Sequence, residues 1–207
     1  MSATLSMRAG VVDLFSGPDD TAGLDPVDLV EGYEAEPRWR RQTSQPWPVA
    51  SHASVVASVL RKMGAAPIVQ LAGLLHDLEE PITGDVPGPL RRLLTVDTPA
   101  GMVRFDRFSQ SLRCRCIAAL GVPNPALVAQ LTTTGAVLHA DAIVLHAETL
   151  VVAPASATAS TLAMVPVSLR YLVPHATAAI RARLPARRGE FRAHLDTLCE
   201  AVRKHAD

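Results

Sequence analysis

From Ser51 onward the apolar residues of this chain recur at helical spacing, and alternation at period two is scarce. Ser51 is placed to cap a helix carrying Val55, Val56, Val59, Leu60 and Met63, which Gly64 stops. Ile68, Val69, Leu71, Ala72, Leu74 and Leu75 form a second, strongly apolar helix. It must end near Glu80, because Pro81 disfavours helical geometry in the residue before it. Further helices are expected over 102–120, 125–151, 168–183 and 188–205. Asp25-Pro26 starts a short helix near the N-terminus, with Asp as cap and Pro in the first turn. Prolines 37, 46 and 48 forbid a continuous helix through Arg38-Trp39-Arg40-Arg41 and Trp47. The fold class this predicts is all-α.

A chain of 207 residues, 48% of them apolar, can bury a core without disulfide or metal staples. Twenty basic residues offset twenty acidic ones, so the charge excess of a nucleic-acid binder is missing. Cys114, Cys116 and Cys199 form neither a CxxC nor a paired pattern, which fits a reducing compartment. Residues 1–10 lack the apolar run of a signal peptide. The uncharged stretch 149–169 is broken by Pro154 and Pro166 and too rich in Ser and Thr for a membrane span. The expectation is a cytoplasmic protein with no membrane and no nucleic-acid partner.

The residues most able to carry chemistry are His76 and Asp77, adjacent at the end of the second apolar helix. Helix neighbours point about 100° apart, so such a pair serves one ion only where both lean toward a shared centre. A bare His-Asp dipeptide is a weak signal, and its context strengthens it. His52 stands near the start of the preceding helix, and Asp141 sits inside a later apolar one. Two imidazoles and two carboxylates from three helices suit a divalent transition metal. Against this, His52 alone fits a helix-terminus residue and Asp141 a solvent-facing charge. The apolar run around Asp141, from Ala136 to Leu145, leaves little polar face for it.

Three blocks of sequence resemble the HD-domain metal-dependent phosphohydrolases, whose pattern is H…HD…D. The first runs from Arg38-Trp39 to Pro48-Val49-Ala50-Ser51-His52, similar to the family's Arg-aromatic…Ser-Val-Ala-Glu/Gln-His segment. The second and most specific is the block from His76-Asp77-Leu78-Glu79-Glu80 through Gly84-Asp85-Val86-Pro87-Gly88-Pro89-Leu90-Arg91. The third is Ala140-Asp141 followed by Glu148. The blocks span residues 38–148, and beyond about residue 155 nothing is similar. Ser51 departs from the acid or amide usual before the first histidine. The similarity is greatest to the small deoxynucleotide phosphohydrolases of bacteria and phages.

This resemblance implies an HD-type helical bundle over 1–207, with a loop-rich segment 1–36, a catalytic core 37–155 and a helical extension 156–207. It implies one divalent transition metal (Co, Mn, Zn or Fe) on His52, His76, Asp77 and Asp141, with a further divalent ion accompanying the phosphates. Glu80 and Asp85 match acids that activate water or protonate the leaving oxygen. Arg38 and, more weakly, Arg91 would hold phosphate, with Arg92 competing for the second role. Trp39 matches the aromatic that packs against the sugar where a 2′-hydroxyl would sit; a core or hinge tryptophan fits the residue equally. Glu148 shares a helix face with Asp141 and would support the site from behind. Glu79 reads as a solvated helix end, and His139 and His146 as packing or surface histidines. The arginines at 181, 183, 187, 188 and 192 read as a solvated face.

The reaction implied is hydrolysis of a deoxyribonucleoside 5′-monophosphate to deoxynucleoside and phosphate. A triphosphohydrolase releasing triphosphate from dATP is the alternative within that chemistry, with Arg40 and Arg41 as its extra cations. Two readings of other classes are a non-catalytic nucleotide-binding module and a two-iron oxygenase drawing on Glu79, Glu80 or His139. Trp39, Trp47, Tyr33, Phe105, Phe108 and Tyr171 are the candidates for stacking on a base. The relatives are homo-oligomers, and the apolar stretch from Ile117 to Leu138 is the candidate interface.

Overall fold

Pro48 is extended, and its carbonyl accepts the N–H groups of Ser51 and His52 at 3.1 and 3.3 Å, so the first long apolar helix begins ahead of Ser51. A computed structural model of the chain describes residues 3–8, 10–17, 20–186 and 188–205. Its helices are α1 (Pro26–Ala35), α2 (Val49–Lys62), α3 (Pro67–Leu74), α4 (Glu80–Thr83), α5 (Gly88–Arg91), α6 (Phe105–Ala119), α7 (Pro125–Leu131), α8 (Gly135–Thr149), α9 (Thr158–Met164), α10 (Val173–Ala182) and α11 (Glu190–Lys204). Short 3-10 turns cover Arg38–Arg41, Ala155–Ala157 and Val167–Leu172. The chain is mostly helical, as expected.

Every residue of α2 from Val49 to Leu60 is buried, the signature of a central helix rather than an amphipathic surface one. It packs against α3, α8, α10 and, less extensively, α1 and α11. Its approach to α3 is closest at Gly73, where an added Cβ would come within 2.2 Å of Leu60 Cδ1. One apolar core runs from Val12 through α2, α3 and α8 to Val202 on α11. The C-terminal helices, where no family resemblance reaches, therefore close the core: α10 lies on α8 and α2, and α11 on α3.

Several expected boundaries move for local reasons. Two antiparallel hairpins, β1 (Thr4–Ser6) with β2 (Val11–Asp13) and β3 (Thr95–Thr98) with β4 (Gly101–Arg104), stand where no strand is predicted. Strands of three or four residues are too short for alternation to register. β4 also delays the helix predicted from 102 to Phe105. The helix predicted over 125–151 breaks between α7 and α8 with a bend of 59°. Thr132, Thr133 and Thr134 each turn a hydroxyl onto the carbonyl three residues back, competing with the helical ladder there. Among the described residues no single helix is long and apolar enough to cross a membrane. Of the stretch 117–138 read as a candidate interface, Ile117, Val122, Val128 and Val137 lie in the core, while Asn124, Ala126, Gln130 and Leu138 are exposed.

The helix predicted to reach Glu80 stops at Leu74, and residues 75–79 form a non-α turn. Pro81 then occupies the first turn of α4, where its missing N–H costs no hydrogen bond. The turn is held by Glu79. Its carboxylate takes two hydrogen bonds from Arg113, Nε at 2.7 Å and Nη2 at 2.6 Å, and a third from the Ser109 hydroxyl. Glu79 is fully buried, so its reading as a solvated helix end is overturned. Burial opposes the charge on Arg113, but Glu79 outweighs it and raises the guanidinium pKa further.

Two predictions test this account. Arg113→Ala strands a buried carboxylate and should cost about 3–5 kcal/mol in urea unfolding, against much less for a surface control such as Arg192→Ala. His194 on α11 has its pKa depressed to about 4, by burial first and by Arg183 and Arg61 after it. The unfolded chain, with histidine near 6.5, binds the extra proton between about pH 4 and 6.5. Stability should therefore fall as pH drops through that window, and His194→Gln should flatten the slope.

Candidate metal centre

Four segments converge on one buried polar cluster. They are the 38–48 strap, the start of α2 with His52, the 75–79 turn with His76 and Asp77, and α8 with Asp141 and Glu148. The short α3 makes the convergence possible, because the non-α backbone after Leu74 frees His76 and Asp77 from the 100° divergence of helix neighbours. His52 is fully buried, and His76 and Asp77 nearly so; Asp141 is half-buried.

Each imidazole is oriented by its Nδ1. In His52 that atom bonds Glu148 Oε1 at 2.8 Å, and in His76 it bonds the Gly73 carbonyl at 2.8 Å. The other ring nitrogen, Nε2, is buried and without a hydrogen-bond partner in both residues. His52 Nε2 lies 3.0 Å and His76 Nε2 3.7 Å from the same Asp141 Oδ1. The three donor atoms of His52, His76 and Asp141 lie within 4.8 Å of one another. Asp77 adjoins this trio without joining it: its Oδ2 is 3.1 Å from His76 Nε2 and 3.4 Å from Arg38 Nη1.

A metal-binding histidine commonly donates its second ring nitrogen to a carboxylate or backbone carbonyl, which fixes the tautomer and directs the free lone pair. His52 and His76 have both arrangements. Two orphaned imidazole nitrogens facing a carboxylate form an N/O donor set that fits a divalent transition metal. The group could hold such an ion; nothing in the donor set singles out which.

The local field favours positive charge. Burial pulls the His76 pKa down, but the Asp77 and Asp141 carboxylates overcome it and hold it at about 10. His52 is raised too: burial and Arg38 oppose the shift, and Glu148 and Asp141 prevail. Burial works against the ionised forms of Asp141, Asp77 and Glu148, yet the neighbouring imidazoles, joined by Arg38 at Asp77 and Glu148, push all three below the usual range. Glu80 goes the other way. Burial, reinforced by Asp77, lifts its pKa well above that of an ordinary glutamate.

Glu148 lies on α8 two turns beyond Asp141 and accepts from both tryptophans of the strap. Trp47 Nε1 reaches Oε1 at 2.6 Å, and Trp39 Nε1 reaches Oε2 at 2.8 Å. Arg38 is buried among carboxylates, at 3.4 Å from Asp77, 3.7 Å from Glu148 and 3.9 Å from Asp85. The strap takes this course through three consecutive left-handed residues, Trp39, Arg40 and Arg41, with φ of 54°, 50° and 64°. Such geometry costs roughly 1–2 kcal/mol per residue. The Trp39 N–H bond to Asp85 Oδ2, at 2.9 Å, and the indole bond to Glu148 offset part of it. Gly84, at φ 75°, turns the chain so that the Asp85 N–H meets Glu36 Oε1 at 3.2 Å.

Every sequence-predicted site residue is drawn into this region or its edge. Arg91 donates to Glu80 Oε1 at 3.3 Å, so in this state it serves that acid, while Arg92 is exposed. His139 is exposed, and His146 is buried against Thr161, so neither joins the trio. The stacking candidates thin out: Trp47 is bonded to Glu148 with 2% exposure, and Tyr33 is fully buried against Phe191. Sequence reasoning missed Trp47 as a Glu148 donor, Glu36 behind Asp85, and Arg113 behind Glu79. Glu36 and Arg113 lie outside the three blocks, Trp47 falls in the unmatched middle of the first, and the partners are 101, 49 and 34 residues away for Trp47, Glu36 and Arg113. No family model matches the chain, and no characterised protein matches it in sequence.

Metal titration checks the arrangement. Asp141→Ala and His76→Ala should abolish tight Co²⁺ binding measured against a chromophoric chelator. Glu148→Gln, which spares every candidate ligand, should weaken it about 10–100-fold.

Proposed function

We propose that this protein is a metal-dependent phosphohydrolase of the HD type that converts deoxyribonucleoside 5′-monophosphates to deoxynucleosides and phosphate. The observation that carries the reading is the pair of oriented imidazoles with unpartnered Nε2 atoms beside Asp141, with two acids and a buried arginine around them. His52, His76 and Asp141, with Asp77 alongside, would hold the ion. When bound, such an ion polarises a phosphoryl oxygen and brings the pKa of water toward about 7.

The remaining roles fall to the chain's own groups. Arg38 sets a guanidinium among the carboxylates to balance a phosphate dianion. Glu80, whose pKa burial lifts above that of an ordinary glutamate, suits donation of a proton to the departing 5′-oxygen. Asp85, held by the Trp39 and Glu36 contacts, suits acceptance of a proton from the attacking water. The phosphorus–O5′ bond breaks as the water oxygen bonds phosphorus, and Glu80 and Asp85 are left with one proton exchanged between them. Trp39, half-buried at the edge of the cluster, is the residue for the sugar. Glu79 is committed to Arg113 and His139 is exposed, which removes two of the extra ligands a two-iron oxygenase would need.

One observation favours a second reading. Arg40 is exposed, and no carboxylate among the described residues lies within ion-pair distance of it. It could meet the outer phosphates of dATP, releasing triphosphate instead; Arg41, the other cation considered for that role, lines a separate cavity.

Product analysis decides. With Co²⁺ or Mn²⁺, orthophosphate should appear from dAMP faster than from AMP, and Asp77→Ala should abolish it. Glu80→Gln should lower kcat about 10²–10⁴-fold with metal binding retained. Triphosphate from dATP with dAMP untouched would establish the second reading. Silence on all three nucleotides with metal bound would refute both and leave a binding module.

A further inference from the structure

A cavity of about 550 Å³, lined in part by strap residues Arg41 and Thr43 to Pro48, shares no residue with the metal-binding trio. Its volume falls within the range of small-molecule sites, about 300–1,000 Å³. Three arginines line it from two distant parts of the chain: Arg41 from the left-handed turn, and Arg183 and Arg188 from the segment joining α10 to α11. Among the described residues none of the three has a carboxylate within ion-pair distance. Arg183 is half-buried, and among the described residues its guanidinium makes one hydrogen bond, from Nη1 to the Ala179 carbonyl at 3.3 Å.

The lining also holds two acids, one fewer than the arginines, and neither lies within ion-pair distance of them among the described residues. Glu34 is committed elsewhere: it accepts the Gly189 N–H on both oxygens, at 2.9 and 3.0 Å, and the Phe191 N–H at 3.3 Å, at the start of α11. Glu190 is exposed and, among the described residues, forms no ion pair. The Arg183 pKa is lowered, by burial first and by Arg61 as well, against the pull of Glu190. The lining also includes Ser51 and Ser54 of α2, which offer hydroxyl groups, and the apolar surface of Pro37, Pro48 and Phe191. Burying a guanidinium without a counter-charge is unfavourable, and an anion entering here relieves it.

We propose that this cavity is a second binding site, taking a phosphate-bearing organic molecule of about nucleotide size, with Arg41, Arg183 and Arg188 on the phosphates and the proline-lined wall against the organic part. It stands independently of the hydrolase reading. Trp47 lines the cavity and bonds the same Glu148 oxygen that orients His52, so an occupant touches the support of the metal group without entering it.

The test is calorimetry of the full-length chain with ADP as probe, adenosine as its uncharged counterpart, and chelator present. ADP should bind saturably at one site, and adenosine about tenfold or more weaker. Arg188→Ala and Arg41→Ala, both at exposed positions, should each weaken ADP about tenfold, as loss of a charge-assisted contact requires. Arg183→Lys should show a smaller loss, keeping the charge but not the fork. Asp141→Ala should leave ADP affinity unchanged. Absence of saturable binding, equal affinity for adenosine, indifference to both arginine-to-alanine changes, or loss with Asp141→Ala instead would each overturn the assignment.

Discussion

The carboxylate of Glu148 is the point on which the polar architecture turns. It is fully buried, and its two oxygens take hydrogen bonds from three aromatic side chains: Trp47 and His52 on one, Trp39 on the other. An isolated ionised carboxylate in such a place is prohibitively unfavourable. Its donors and the nearby Arg38 make it tolerable, and in return it fixes all of them. Through this residue α8 locks the strap to α2, and the His52 ring acquires its tautomer. Removing any one donor leaves a buried charge short of a partner, so the strap and the site are energetically one unit.

A second buried carboxylate does the same for the other histidine. Glu79, gripped by Arg113 and Ser109 from α6, holds a turn that the helical pattern of α3 would otherwise continue. Continuing the helix would spread His76 and Asp77 around its circumference. Halting it at Leu74 lets His76 face Asp141 with Asp77 beside it, while the His76 Nδ1 bond to Gly73 uses a carbonyl freed by the end of the helix. The geometry of the site thus depends on where a helix stops, and a buried ion pair some residues away decides that. Such pairs are poor sources of stability but strong selectors of one conformation over its neighbours, a role suited to a site needing a single backbone path.

This explains what could be read from the sequence and what could not. The helical content, the Asp25 cap and the candidates His52, His76, Asp77 and Asp141 were legible, because periodicity and chemically unusual residues in apolar runs are local signals, whereas Glu148 came only with the family resemblance. The end of α3 was not, because Pro81 gives the same warning whether a helix ends at Glu80 or a new turn begins there. The solvated reading of Glu79 failed for the same reason: its partner, Arg113, lies 34 residues away on a helix whose own pattern gives no hint of the pairing. The break at Thr132–Thr134 was local but weak, since three threonines within an apolar run break a helix only when their hydroxyls fold back.

The strap from Arg38 to Pro48 has two faces, and its strain follows from serving both. One face delivers Trp39 and Trp47 to Glu148, and Arg38 to the carboxylates. The other presents Arg41 and the surrounding prolines to the cavity. An extended chain, with side chains alternating between faces, could not place Arg38 and Trp39 inward and Arg41 outward while also bonding the Trp39 N–H to Asp85. Three successive left-handed residues make that turn in the space available. Backbone strain of this kind persists only where surrounding contacts over-determine it. Here those contacts are the very bonds that orient the metal group, so the strap cannot relax without releasing Glu148 from two of its donors. A molecule bound on the outer face would therefore bear directly on the inner one.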